Sequence, residues 1–214
     1  MDKAAVALSA GTYGAFKALL AASGCARCAL SASRTQIVVD RGNSSARVLF
    51  IGEAPGEKED LTGRAFVGRS GRLLDSMLKE AGFDTERDAL IVNVAKCRPP
   101  KNRAPSKEEA GACRPFLKKQ IDLVQPRLIA LLGKTALTHI LPEKKDLSMA
   151  EQAGRRFQHP DYPGTDLMVL FHPAYILRDP RKKPLMAGHL RALKEFWALH
   201  IRGASHERMV RHES

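Results

Sequence analysis

Short apolar runs alternate along this chain with longer stretches of helical spacing. Val48-Leu49-Phe50-Ile51 predicts a buried strand that ends at Gly52, and Ala89 to Val94, Arg127 to Leu132 and Asp166 to Phe171 predict three more. Over 70–81, Leu73, Leu74, Met77, Leu78 and Ala81 recur on one side of a helix, with Gly82 as its stop. Strands that are apolar on both faces and separated by helices belong to a parallel sheet covered on both sides. The expectation is one α/β domain over 1–201 with four strands. Residues 142–165, rich in Pro, Gly and charge, read as a loop insertion, and the basic stretch 202–214 reads as a frayed tail with little to bury.

Composition adds a partner to this picture. Among 214 residues, 35 Lys and Arg face 23 Asp and Glu, a net charge of +12 spread along the chain. A surplus of that size points to a polyanion, most simply DNA or RNA. The 44% of hydrophobic residues suffice for a core, which excludes disorder of the whole. No apolar run approaches the ~18 residues of a spanning helix, so no membrane partner is expected. The stretch Met1 to Ala10 imitates a secretory signal, but its apolar part is shorter than the ~7–15 residues required and it continues unchanged into Lys17. It reads as the first helix of a cytoplasmic, monomeric protein.

In open α/β sheets ligands gather at the carboxyl edge. Four conspicuous segments follow strands here: Gly52 to Gly71, Asn93 to Arg103, Gly133 onward, and His172 to Arg178. Gly133-Lys134-Thr135 ends like a phosphate-binding loop, but Leu128 stands where the leading glycine belongs, so nucleotide binding is set aside. Gly52-Glu53-Ala54-Pro55-Gly56 is a tight, rigid turn that offers backbone N–H groups and one carboxylate at a strand end. The four cysteines are Cys25, Cys28, Cys97 and Cys113. A Cys-x-x-Cys pair with two more thiols suits a metal better than disulfides in a cytoplasmic chain. Structural zinc and an iron–sulfur cluster both remain open; the wide spacing of Cys97 and Cys113 leans towards the cluster.

These residues carry a resemblance. Gly52 to Asp60 followed by Gly63-Arg64-Ala65-Phe66-Val67-Gly68 resembles the first motif of the family 4 uracil-DNA glycosylases. Asn93 to Pro100, with Asn102-Arg103 behind it, is similar to the central motif, and His172-Pro173-Ala174-Tyr175-Ile176-Leu177-Arg178 to the third. The resemblance runs from about Cys25 to Trp197. It implies a three-layer α/β/α fold with a central, mostly parallel four-stranded sheet, and a structural [4Fe–4S] cluster on the four cysteines, with zinc as second choice. The implied activity is monofunctional excision of uracil from DNA, whether in a U·G mispair, a U·A pair or a single strand. Ala65, Ser70 and Ala174 depart from residues usual in the family. The Arg-rich insertion of relatives that bond covalently to DNA is missing between Cys97 and Pro105.

The resemblance also implies roles. Phe66 stacks on the flipped base. Asn93 accepts from uracil N3–H and donates to O4, a pattern that cytosine inverts. His172 hydrogen-bonds O2 as charge builds on the leaving ring, and the Ala54 N–H reaches the same oxygen. Glu53 positions the attacking water, and Glu59 blocks the space of a thymine methyl. Lys96, Arg98, Arg103 and Arg178 are expected to meet phosphates or to fill the space left by the flipped base. Glu57 and Asp60 read as solvated carboxylates, and the other histidines (139, 159, 189, 200, 206 and 212) as surface or packing residues. The alternative is a non-catalytic iron–sulfur or zinc module that binds nucleic acid and has no need of the set Glu53, Phe66, Asn93 and His172.

Overall fold

The computed structural model describes residues 2–202. Its strands are β1 (Arg41–Gly42), β2 (Val48–Gly52), β3 (Leu90–Asn93), β4 (Leu128–Leu132), β5 (Arg156–Gln158) and β6 (Asp166–Leu170), in one sheet of order β1-β3-β2-β4-β6-β5. The inner four are parallel. Each lies where the apolar runs predict a strand, because every residue from Val48 to Gly52 and from Leu128 to Leu132 is buried and only a two-sided run satisfies that.

The sheet has six strands rather than the four expected. The additions, β1 and β5, are short antiparallel edges on β3 and β6. Neither carries an apolar run; each takes its conformation from the unpaired backbone of the neighbour it meets. The expected loop insertion 142–165 therefore holds real elements: β5 and a short helix α7 (Met149–Gln152) opened by a Ser148–Glu151 capping box. The amino-terminal stretch forms two helices, α1 (Lys3–Leu8) and α2 (Tyr13–Ala22), because the Thr12 side chain accepts from the Ala15 N–H and starts a new helix. The expected tail lies outside the described residues from 203 onward.

Alternate strand residues feed two cores. On one face Val48, Phe50, Ala130 and Met168 pack with Leu74, Met77 and Leu78 of α4 (Arg69–Glu80) and Met186, Leu190 and Leu193 of α9 (Lys183–Trp197). On the other, Leu49, Ile51, Val92 and Ile129 pack with Leu117 and Ile121 of α5 (Lys107–Val124) and Ala136 and Leu137 of α6 (Gly133–Ile140). The three layers are therefore helix, sheet and helix. A third apolar cluster joins α1 and α2 to Ala95, Cys97 and Phe116, beside the cysteines.

Asp60, at the end of β2's loop in α3 (Glu57–Thr62), is buried rather than solvated. Its carboxylate accepts from the N–H of Thr35 at 2.9 Å and of Gln36 at 3.4 Å, which ties the segment leading into β1 onto the site loop. Asp60→Ala leaves those donors without partners at roughly 1–3 kcal/mol each. The urea midpoint is expected to fall at unchanged slope.

Candidate active site and metal site

Because the inner strands are parallel, their carboxyl ends share one edge. Gly52 of β2 lies in register with Asn93 of β3. The turn after β4 begins at Gly133, and His172 opens α8 (Pro173–Arg178) just past β6. A cleft of about 950 Å³ crosses this edge. Glu53, Ala54, Glu59, Phe66, Asn93, Arg103, His172 and Arg178 all line it, so most of the expected set is brought together.

Space for the set comes from a missing side chain. A Cβ on Gly52 would stand 2.4 Å from Phe66 Cζ and 2.6 Å from Asn93 Oδ1. The Phe66 ring and the Asn93 carboxamide thus occupy the volume that any other residue at 52 fills. Phe66 itself has φ of 54°, a conformation that costs a bulky residue free energy and persists only where the surroundings enforce it. Gly71 is part of that enforcement: a Cβ there would fall 1.8 Å from the Phe66 carbonyl oxygen. Glu59 is another part. Its buried carboxylate accepts from the Gly68 N–H at 2.7 Å, which closes the Phe66 loop while it also faces the cleft.

The polar groups are oriented from behind. Asn93 is buried, and its Oδ1 has no hydrogen-bond partner. A buried acceptor left open is costly unless a ligand supplies the donor. His172 Nδ1 accepts from the Ala174 N–H at 3.1 Å. That contact places the proton of the neutral ring on Nε2. Burial, helped by the nearby Arg178 guanidinium, pushes the pKa of His172 down to about 4. The ring is therefore a neutral donor at physiological pH, and it tilts at 43° to Phe66 with centroids 5.8 Å apart. The Thr135 hydroxyl donates to Glu53 Oε2.

The sequence pattern of the uracil DNA glycosylase superfamily matches residues 39–198. The type-4 uracil-DNA glycosylase of Thermotoga maritima is 45% identical over 155 residues, 72% of this chain and 79% of that protein. The type-4 enzyme of Sulfurisphaera tokodaii is 37% identical over 176 residues, 80% and 79% of the two chains. A type-5 enzyme of Pyrobaculum aerophilum is 29% identical over 147 residues, 62% of this chain. The chain belongs to the type 4 uracil-DNA glycosylases.

In this type 4 glycosylase the four cysteines are free of disulfides and border one small cavity with Arg34 and Lys96. Cys25 and Cys28 come from the loop after α2, Cys97 from the end of β3's loop, and Cys113 from α5. Arg34 donates to Cys97 Sγ at 3.5 Å, and burial pushes that thiol up to about 12. Among the described residues no group of three or more His, Cys, Asp or Glu stands at metal-holding distances. The donor chemistry nevertheless fits a thiophilic centre: four thiols from three segments, two of them buried, with cations beside them that favour thiolate.

Lys96 corrects an expectation. It does not face DNA; it is 1% exposed, and its ammonium donates to the Asn93 carbonyl at 2.6 Å and to Gln120 Oε1 at 2.5 Å. Gln120 continues to Tyr13 and the Val39 carbonyl. The apolar strand end draws the aliphatic stem inward, where only backbone and amide oxygens remain as partners. Arg98 is held by Asn102 Oδ1 at 2.8 Å away from the cleft lining. Arg103 reaches the rim but forms a bidentate pair with Glu109 at 2.7 Å. Sequence reasoning overlooked Gly71 and Thr135 as contributors to the site. Only the second left a signal, as part of a motif assigned to nothing.

Two outcomes test this geometry. Gly52→Ala is expected to lower excision by about a hundredfold through displacement of Phe66 and Asn93, with overpacking of roughly 1–3 kcal/mol read by urea unfolding. For His172, the unfolded ring takes its proton near pH 6.5 but the folded ring only near 4. Stability held above pH 6.5 is thus lost as pH falls towards and through 4, and His172→Gln flattens that part of the stability–pH curve.

Proposed function

We infer that this chain flips uracil out of DNA and hydrolyses its N-glycosidic bond, leaving an abasic site. The observation that carries the reading is the buried Asn93 carboxamide, its Oδ1 without a partner, facing a cleft shared with the neutral His172 and the Phe66 ring. A uracil in that cleft stacks on Phe66 and gives its N3–H to Asn93 Oδ1, while Asn93 Nδ2 donates to O4. Cytosine presents an acceptor and a donor in reverse and meets like against like.

The bond from C1′ to N1 breaks with its electron pair going to the base, where charge collects on O2. His172 Nε2–H and the Ala54 N–H donate to that oxygen. Glu53 holds the water that attacks C1′ and takes up its proton, and its charge favours the cationic sugar. The water oxygen remains on C1′; a proton returns to the departed base from solvent. Arg178 and Arg103 in the cleft, and Arg98 outside its lining beside Asn102, meet phosphates of the substrate strand. Substrates are uracil in U·G, in U·A or in a single strand, met as a monomer in the cytoplasm by a single domain over 1–201.

The four cysteines would hold a [4Fe–4S] cluster, with zinc as the alternative occupant; the group's part is structural, joining the amino-terminal segment to β3 and α5. Its removal is expected to loosen α1 and α2 before it alters chemistry. Protein purified without oxygen is expected to be brown, with broad absorption at about 400 nm. A colourless protein with one zinc per chain overturns the cluster.

The test of function is a uracil-containing oligonucleotide incubated with protein and then alkali. No cleavage at the uracil at any protein concentration leaves only the binding-module reading. Asn93→Ala is expected to cut excision by about ten- to several-hundred-fold or more, since two matched hydrogen bonds are lost at roughly 1–3 kcal/mol each. Asn93→Asp repels O4 when ionised and lowers uracil excision too. In its protonated form it matches cytosine, so slow cytosine removal from mispairs, faster as pH falls, is the expected gain.

A further inference from the structure

The turn from β4 into α6, Gly133-Lys134-Thr135, lacks the leading glycine of a phosphate loop, yet it lines the cleft. Its lysine points to other work: Lys134 Nζ donates to the Leu147 carbonyl at 3.3 Å. We propose that this turn is the positioning element that sets Glu53 and His172 against each other, with Thr135 as the residue that aims the Glu53 carboxylate at the attacking water. The proposal rests on the glycosylase reading above and deepens it.

Three observations support it. The Thr135 hydroxyl gives its one hydrogen to Glu53 Oε2, and among the described residues this is the sole hydrogen bond of the Glu53 side chain. With Oε2 engaged, Oε1 is left for water. Without that contact no hydrogen bond among the described residues fixes the plane of the carboxylate. Thr135 is itself well anchored. It is β-branched and stiff at χ1, and the residues after it, Ala136 and Leu137, are fully buried in the sheet core.

Gly133 does the complementary job for His172. Its φ is +83°, and a Cβ there would stand 2.8 Å from His172 Cβ. The histidine can approach the turn only because that atom is missing. One strand-to-helix turn thus touches both the group that handles water, through Thr135, and the group that handles the leaving base, through Gly133. Such support from behind is what keeps reacting groups within the small tolerance that catalysis needs.

The experiment is single-turnover excision on a U·G duplex by the full chain, with duplex affinity measured separately on a non-hydrolysable uracil nucleotide. Thr135→Val is expected to slow excision by about tenfold at saturating protein with affinity unchanged, because only orientation is lost. Thr135→Ser keeps the hydroxyl and is expected to restore the rate to within about threefold of the parent. In a Glu53→Gln background, Thr135→Val is expected to add little, since the group it aims is already gone. Should the valine variant fail to fold, Thr135→Ala carries the same arm. A parent rate in the hydroxyl-free variant, a loss that appears as weaker binding, or an undiminished loss in the Glu53→Gln background each overturns the positioning role. If the parent chain itself leaves uracil in place, the glycosylase reading falls, and the role of Thr135 falls with it; that result is separate because it precedes any substitution.

Discussion

The cleft depends on a steric constraint between three residues on two neighbouring strands and a loop. Gly52 and Asn93 end β2 and β3 side by side, and the Phe66 ring folds back onto Gly52. Since a Cβ at 52 would stand within 2.6 Å of both partners, the Phe66 ring and the Asn93 amide exist in this arrangement only around a glycine. Everything else at the site holds that contact in place. Gly71 admits the strained Phe66 backbone, Glu59 fastens the loop through the Gly68 N–H, and Asp60 fastens the loop's helix to the segment leading into β1. Strain at Phe66 is thus stored where the surroundings over-determine it, as functional loops tend to do.

Behind this front lies a polar layer that connects the site to the cysteines. Lys96 bridges the Asn93 carbonyl and Gln120, and Gln120 reaches Tyr13 of α2, whose hydroxyl donates to the buried Asp40. The residue after Lys96 is Cys97. The strand end that carries Asn93 is therefore continuous, through one buried ammonium and one amide, with the segments that carry the thiols. A buried cation with partial compensation is an expensive device, and it is retained where it fixes one arrangement against others. Its cost is offset by the backbone and amide oxygens it satisfies.

Charge is divided by function as well. The net +12 suits a polyanionic substrate, but the cleft itself is lined by the Glu53 carboxylate and the neutral His172 imidazole. Burial and Arg178 keep His172 uncharged, so it can donate to a developing anion without an opposing proton equilibrium at neutral pH.

Much of this was legible in the chain. The four inner strands, the α4 helix and the carboxyl-edge location follow from local patterns, because two-sided apolar runs and strand ends are properties of neighbours in sequence. The choice of Glu53, Phe66, Asn93 and His172 comes with the family resemblance that those strand-end motifs carry, and the structure lines one cleft with all four. The edge strands β1 and β5, the burial of Lys96 and Asp60, and the contacts of Gly71 and Thr135 do not. They arise from segments far apart in the chain: Thr135 meets Glu53 across 82 residues, and Lys96 meets Gln120 across 24. A lysine in a strand-end motif looks solvated until the apolar strand end beneath it is folded. A short polar stretch becomes a strand only when an unpaired backbone edge stands next to it. Sequence by itself determined the layers and the chemical inventory of the cleft; tertiary structure alone decided which groups face it, because burial and hydrogen-bond partners are set by distance in space.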